Sequence, residues 1–362
     1  MHRAPRRSLA ALAATAALGL VVAAAPAQAE GDIVASGLNN PRHLTFSPGG
    51  TLYVVEAGAG GSGPCAEGEL GLGCIGLTGS VTKVSMSGPD TRVVTGLPSI
   101  VTGEDAIGPA DIAFTGNTNY VLSVGLGGNP AYRAAFGPDG SQLGMLLKGR
   151  IGGGAPTELA DVVANEAAAN PDGTDVDSNP VGILRNGDGY YVADAGGNAV
   201  VRTNHKGQFT TLAVLPPALT TQPGPVPVGF PADAVPTSVV QGPDGAYYIS
   251  QLTGFPFEQG LSSIWRVVPG HAPTKWATGL TNVTDLAFAE DGTLYAVEIA
   301  ANGLLNGPLG ALVSVPKGST SPTVVAGSLF APYGVALRGG NAYVTTCSVC
   351  VGGGQVQRIP LG

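Results

Sequence analysis

Charge is scarce in this chain: only 12% of its 362 residues are Asp, Glu, Lys or Arg. The balance is acidic, with a formal net charge of −8 and an isoelectric point near 4.9. No Lys/Arg cluster follows the first seven residues, so neither nucleic acid nor an anionic membrane surface is an expected partner. Histidine is as rare, with four in all, which leaves little for imidazole-based catalysis or metal binding. No G-x-S-x-G elbow, H-E-x-x-H pair or Walker-type phosphate loop occurs. Beyond residue 25 there is no long apolar run, so no membrane insertion is expected once the leader described next is removed.

That leader is residues 1–29. MHRAPRR is a basic opening, SLAALAATAALGLVVAAA an apolar stretch, and Ala27-Gln28-Ala29 an A-x-A cleavage site. The expectation is a signal peptide cleaved after Ala29 and a secreted or extracytoplasmic mature chain from Glu30. Arg6-Arg7 loosely resembles a twin-arginine signal without its full flanking pattern, so the export route stays open.

Glycine and proline are abundant: 57 Gly and 29 Pro, with no low-complexity run. Such a composition points to many short strands joined by tight turns, and residues 30–362 are read as one all-β domain. A unit recurs along them. NPRHLTFSPGGTLYVVEAG is echoed by GPADIAFTGNTNYVLSVG, NPVGILRNGDGYYVADAG, VPTSVVQGPDGAYYISQL, NVTDLAFAEDGTLYAVEIA and APYGVALRGGNAYVTTCS. The copies start at Pro41, Pro109, Pro180, Pro236, Val283 and Pro332, 47 to 71 residues apart.

In each copy the opening residue, proline in five, suits the first position of a strand, where no ladder donor is needed. An alternating strand, a turn and a second strand follow, the second carrying a tyrosine in every copy: Tyr53, Tyr120, Tyr191, Tyr248, Tyr295 and Tyr343. A third strand and often a fourth come next, and four antiparallel strands per 40–70 residues is a propeller blade. The sixth copy ends at QVQRIPLG without a fourth strand, whereas DIVASGL at Asp32–Leu38 matches the fourth-strand pattern and precedes the first copy. The expected fold is therefore a six-bladed β-propeller whose N-terminal strand completes the last blade and removes the open sheet edge. An insertion at 129–178 departs from the pattern. Its Thr157–Ala169 stretch has helical composition, with Pro156 as a first-turn residue and Asn170-Pro171 as a stop.

At this point a family resemblance can be stated. The P-x-x-I-A-F…DG-x-L-Y-V pattern resembles NHL-type propellers, a superfamily that includes streptogramin lyase-like and gluconolactonase-like proteins. More narrowly, GLNNPRHLTFSPGGTLYVVEAG, DSNPVGILRNGDGYYVADAGGN, PTSVVQGPDGAYYISQLTGFPF and TTCSVCVGGGQVQRI resemble the ScyD/ScyE family over essentially the whole mature chain. The resemblance implies a secreted propeller and carries no firm catalytic assignment. In gluconolactonase-like propellers a metal-binding Asn or Asp directly follows the opening proline. Here those places hold Arg42, Ala110, Val181, Thr237, Thr284 and Tyr333, so that metal site is not carried over.

Propeller ligands gather at one mouth of the central channel, and two rings of positions could line it. The first, two residues after each opening position, holds His43, Asp111, Gly182, Ser238, Asp285 and Gly334. The second, three residues after each repeat tyrosine, holds Glu56, Ser123, Asp194, Gln251, Glu298 and Thr346, all polar. The second ring reads as side chains bonding loop backbone at strand ends, or as a ligand or cation site. The candidate mouth residues are Glu56, Asp111, Asp194, Gln251, Asp285 and Glu298; their carboxylates could serve Ca²⁺, although no cofactor or metal is assigned. NPDGTDVDSN at 170–179 lacks the order of an EF-hand loop and reads as solvated. His43 is the one histidine at a channel position, a weak candidate for a general base in a lyase or hydrolase.

Cys65 and Cys74 flank a glycine-rich loop in the first copy, and Cys347 and Cys350 lie in the corresponding loop of the sixth. Two local bridges, Cys65–Cys74 and Cys347–Cys350, need the least assumption, with cross-bridges between neighbouring blades left open. The reading that follows is a monomeric binding or scaffold module for an unidentified small molecule or protein. Its rival is a propeller enzyme acting at the same mouth.

Overall fold

The computed structural model describes residues 31–361 except Leu70, Glu104 and Asp188. The expected leader and its expected cleavage site lie outside the described residues. Among the described residues no helix is long and apolar enough to cross a membrane.

The chain is all-β, built from antiparallel sheets in sequence order. Among the described residues, five sheets have four strands, one has six and a ribbon has two. Each larger sheet contains one copy of the repeat. Its first strand is Pro41–Phe46, Pro109–Phe114, Pro180–Asn186, Pro236–Gln241, Val283–Phe288 or Val335–Arg338. These first strands contact one another in sequence, and Val335–Arg338 returns to contact Pro41–Phe46, so the cycle closes. In the last copy the strand begins three residues after Pro332. Its opening segment is held instead by Tyr333 N–H, which donates to the Thr345 carbonyl at 3.0 Å.

Asp32–Leu38 pairs antiparallel with Gly354–Pro360, so the first described strand joins the sheet of the last copy. Four of the six outer strands share one backbone device. Gly37, Gly96 and Gly279 have φ of 75°, 77° and 79°, and Ser328 takes the same place with φ 55°. A left-handed residue there lets the strand bulge. The following residues, Leu38, Leu97, Leu280 and Leu329, are all buried.

The core is a series of apolar seams between adjacent sheets. Tyr53, Tyr120, Ile112 and Leu122 lie in the seam of the first and second copies; Val121, Ile183, Tyr190 and Val192 lie in the next. Period-2 alternation turns Tyr120 and Val121 to opposite faces, so one sheet supplies two seams.

The insertion differs from expectation. Thr157–Asp161 is a strand pairing with Met145–Arg150, and the helix covers only Val162–Ala169. Asp161 caps that helix by accepting from Ala164 N–H, so the sheet claims the residues before the cap as its fourth strand. Asn170, at φ 37°, ends the helix, and a shorter helix covers Pro130–Ala135. Both expected disulfides, Cys65–Cys74 and Cys347–Cys350, are formed, and no free cysteine remains.

Candidate functional site

Four residues of the first ring come together where the inner strands meet. His43 is 2% exposed, with Nδ1 3.5 Å from Asp111 Oδ2 and Nε2 3.8 Å from Asp285 Oδ1. The same Nε2 is 3.3 Å from the Thr284 carbonyl. Ser238 Oγ donates to Asp285 Oδ1 at 2.8 Å. The remaining positions are glycine because backbone passes close by: a Cβ on Gly182 would meet the Thr237 carbonyl at 2.7 Å, and one on Gly334 the Arg42 carbonyl at 2.8 Å.

Both aspartates tie adjacent sheets together. Asp111 accepts Ile183 N–H at 2.8 Å, and Asp285 accepts Val335 N–H at 2.8 Å. Burial alone would lower the His43 pKa, but the charges of Asp285 and Asp111 outweigh it and raise the imidazole to about 9. His43 is thus a buried imidazolium at neutral pH. Beside it the Arg42 guanidinium sits 4.8 Å from the centre of the Tyr333 ring and donates to the carbonyls of Ser348 and Ala106.

A second motif surrounds this group. Ser123, Thr237, Thr284 and Thr345 each donate a hydroxyl to a backbone carbonyl of the next sheet: Val181, Val283, Tyr333 and Arg42, at 2.5 to 2.9 Å. These bonds stitch each of these sheets to the next. Two of the places that hold a metal ligand in lactonase-like propellers, Thr237 and Thr284, are used in this way.

The second ring does not converge. Glu56 is fully buried and turns toward the outer strands of its own sheet. There it accepts from Ser80, Thr82 and Arg92, and from Asn39 N–H at 2.7 Å. Asp194 accepts from Ser178 and from Asn179 N–H at 2.6 Å; Glu298 accepts Thr281 N–H at 2.8 Å. All three carboxylates therefore hold the loop that leads into an inner strand. Gln251 accepts from the Trp265 indole at 3.0 Å, and Thr346 accepts from Gln357 at 3.5 Å. Burial raises Glu298 to about 7, against the opposing pull of the Thr281 N–H.

Asp194 also has acidic neighbours that the repeat pattern does not reveal. Glu166, from the helix of the insertion, is 1% exposed, and Asp177 comes from the loop before the third copy. The two carboxylates close on Gly197, where a Cβ would lie 2.8 Å from Glu166 Oε2 and 3.4 Å from Asp194 Oδ2. Burial first, then the charges of Asp194, Asp172 and Asp177, raises Glu166 to about 8. Burial first, with Glu69 and Asp194 adding to it, raises Asp177 to about 7. Burial also raises Asp194 to about 6, despite its three hydrogen-bond donors. Among the described residues no three His, Cys, Asp or Glu side chains are arranged to hold a metal ion. The carboxylates of the two rings each accept at least one hydrogen bond from protein donors.

The comparisons with known proteins bear on the fold. A protein described as a glucose dehydrogenase-type oxidoreductase from Thermus thermophilus superposes with a TM-score of 0.53 at 16% identity, covering 91% of this chain and 98% of that one. The PQQ-bound aldose sugar dehydrogenase of Streptomyces coelicolor gives 0.52 at 13% identity, covering 91% and 96%. A protein described as a gluconolactonase gives 0.51 at 11% identity, covering 92% and 93%. The chain is a β-propeller. At these identities the likeness shows the fold alone. No protein-family model matches the chain, and no curated protein does. The propeller's inner strands thus converge on a charged group that is buried, and its second polar ring is distributed among strand-end loops.

Proposed function

We propose that this chain is an extracytoplasmic six-bladed β-propeller of the ScyD/ScyE type that works as a binding or scaffold module rather than as a channel enzyme. The observation that carries the reading is His43. It is buried between Asp111 and Asp285, and every nearby hydroxyl of the inner strands already has a partner. A general base must reach a substrate proton within about 3 Å or through one water. His43, charged and enclosed, has no lone pair to offer at neutral pH.

The blade count is supported by the six repeat-bearing sheets and by the closed cycle of contacts among their first strands. The two-stranded ribbon Ala218–Leu219 with Pro231–Ala232 belongs to a loop between blades and adds no repeat. Export is supported by two disulfides, which persist in oxidising compartments. Binding is supported by exposed apolar residues on that loop and nearby: Leu219, Val228, Phe230 and Phe255. A monomer is the simplest arrangement, because the closed ring leaves no inner sheet edge to pair.

The test is native mass spectrometry of the purified mature protein, with lyase and lactonase assays on wild type and His43→Gln. The reading expects no metal in the channel and no turnover that depends on His43. Turnover abolished by His43→Gln in a variant that still folds would overturn it.

A further inference from the structure

A groove of about 630 Å³ lies at the far ends of the inner strands, between the second and third repeat-bearing sheets. It is remote in the fold from the channel mouth, so it stands apart from the reading above. Its volume is in the range of small-molecule sites. Lys148 and Arg150 line it from one sheet; Arg185, Tyr190 and His205 line it from the other. No described carboxylate lines the groove, and no ion pair links Lys148, Arg150 or Arg185 to a described acid.

The register explains the convergence. Lys148 is paired with Val121, which faces the third sheet across the seam it shares with Tyr190. Lys148 and Arg150 are two residues apart on one strand, so they lie on that same face. Arg185 is the direct cross-strand partner of Tyr190 and shares its face. The two sheets therefore present like charges to each other. In a chain of net charge −8, three cations that face one gap with no ion-pair partner among the described residues are a concentration that surface chance does not favour.

Tyr190 forms the floor. It is 2% exposed, burial raises its pKa, and His205 packs edge-on to its ring at 5.7 Å. Its phenol is therefore protonated at neutral pH and available as a donor. Three cations and a phenol donor, with no described carboxylate beside them, suit an anion. Two guanidinium groups suit an oxyanion that can accept forked hydrogen bonds.

We infer that this groove binds the oxyanion head group, a phosphate or sulfate, of a small molecule, held by Lys148, Arg150 and Arg185 above Tyr190. Relief of the repulsion among the three cations would accompany binding.

The experiment is calorimetric titration of the mature protein with inorganic phosphate and with sodium sulfate, against chloride at matched ionic strength. A double variant, Arg150→Gln with Arg185→Gln, is run beside wild type. Both arginines are exposed, so the variant should fold, and circular dichroism checks that it does. The inference expects saturable binding of one or both oxyanions and an affinity loss of at least about tenfold in the double variant. Phosphate against sulfate distinguishes the two sources. Heats no different from chloride for both oxyanions, or equal affinity in wild type and variant, would overturn the inference.

Discussion

His43 and Asp111 stand 68 positions apart in sequence, on the inner strands of two different sheets, with Nδ1 3.5 Å from Oδ2. Asp285, from a third sheet, approaches the other imidazole nitrogen, Nε2, at 3.8 Å. One cation is thus shared by three strands of the ring, and each aspartate also accepts a backbone N–H from a further sheet. The group acts as a keystone, joining strands that have no ladder bonds between them.

Removing the keystone cation leaves the buried Asp285 and the partly buried Asp111 without their shared counter-charge. His43→Ala is expected to lower the unfolding free energy by about 3–5 kcal/mol, the usual cost of breaking a buried pair from one side. Urea denaturation measures it. A loss below about 1 kcal/mol, within the range of an exposed pair, would contradict the keystone role.

Stability should fall as the solution becomes alkaline. His43 is raised to about 9 from 6.5, so its contribution is complete below about pH 6.5 and disappears as pH rises through 9. Glu166, Asp177, Glu298 and Asp194 are raised to about 8, 7, 7 and 6. A carboxyl group raised on folding favours the folded state when protonated and opposes it as ionisation is forced. All five shifts therefore act in one direction between about pH 5 and pH 9. Thermal melts across that range should show a steady decline, and Glu166→Gln should make it shallower between about pH 5 and pH 8. A melting temperature that climbs from pH 5 to pH 8 would refute this.

Glu56 is held by Ser80, Thr82, Asn39 N–H and the half-exposed Arg92. Glu56→Ala strands all these donors and is expected to cost about 2–4 kcal/mol, whereas Arg92→Ala removes one partner of four and should cost less. Chemical denaturation of the two variants gives the order, and the reverse order would show that the ion pair matters more than the hydroxyl cage.

Four residues that immediately precede a repeat opening are left-handed: Asn40 at φ 49°, Val235 at 53°, Asn282 at 44° and Ala331 at 41°. Asparagine is suited to this conformation and β-branched valine is not. Asn40 and Asn282 also donate their side-chain amides to the carbonyls of Gly58 and Leu252. Val235→Asn should therefore stabilise the fold by up to about 1 kcal/mol. A loss of stability would mean that the packing of Val235 against Ala110, Val181 and Ala195 outweighs its backbone strain.

The repeat made much of this fold legible. Proline openings, a tyrosine in every copy and an unmatched DIVASGL segment foretell the sheets and the pairing of Asp32–Leu38 with Gly354–Pro360. Local alternation sets these features, so they survive in one sequence. The helix boundary did not survive, because Thr157–Asp161 is a strand only through its partner Met145–Arg150. The convergence of His43 with Asp111 and Asp285 was legible as a set of equivalent positions. What each residue does with its charge depends on neighbours brought in by other blades. Glu166 had no sequence signal at all, lying in the alanine-rich stretch VVANEAAA. The groove cations were likewise ordinary strand-end residues until two sheets faced them toward one another.

The most direct measurement is the titration of the His43 side chain by heteronuclear NMR, which the small number of histidines makes practicable. A buried imidazolium between Asp111 and Asp285 predicts a midpoint near 9 and a ring that stays protonated at neutral pH. A midpoint at or below about 6.5, the ordinary value for an accessible imidazole, would contradict the buried ion group and return His43 to the role of a general base.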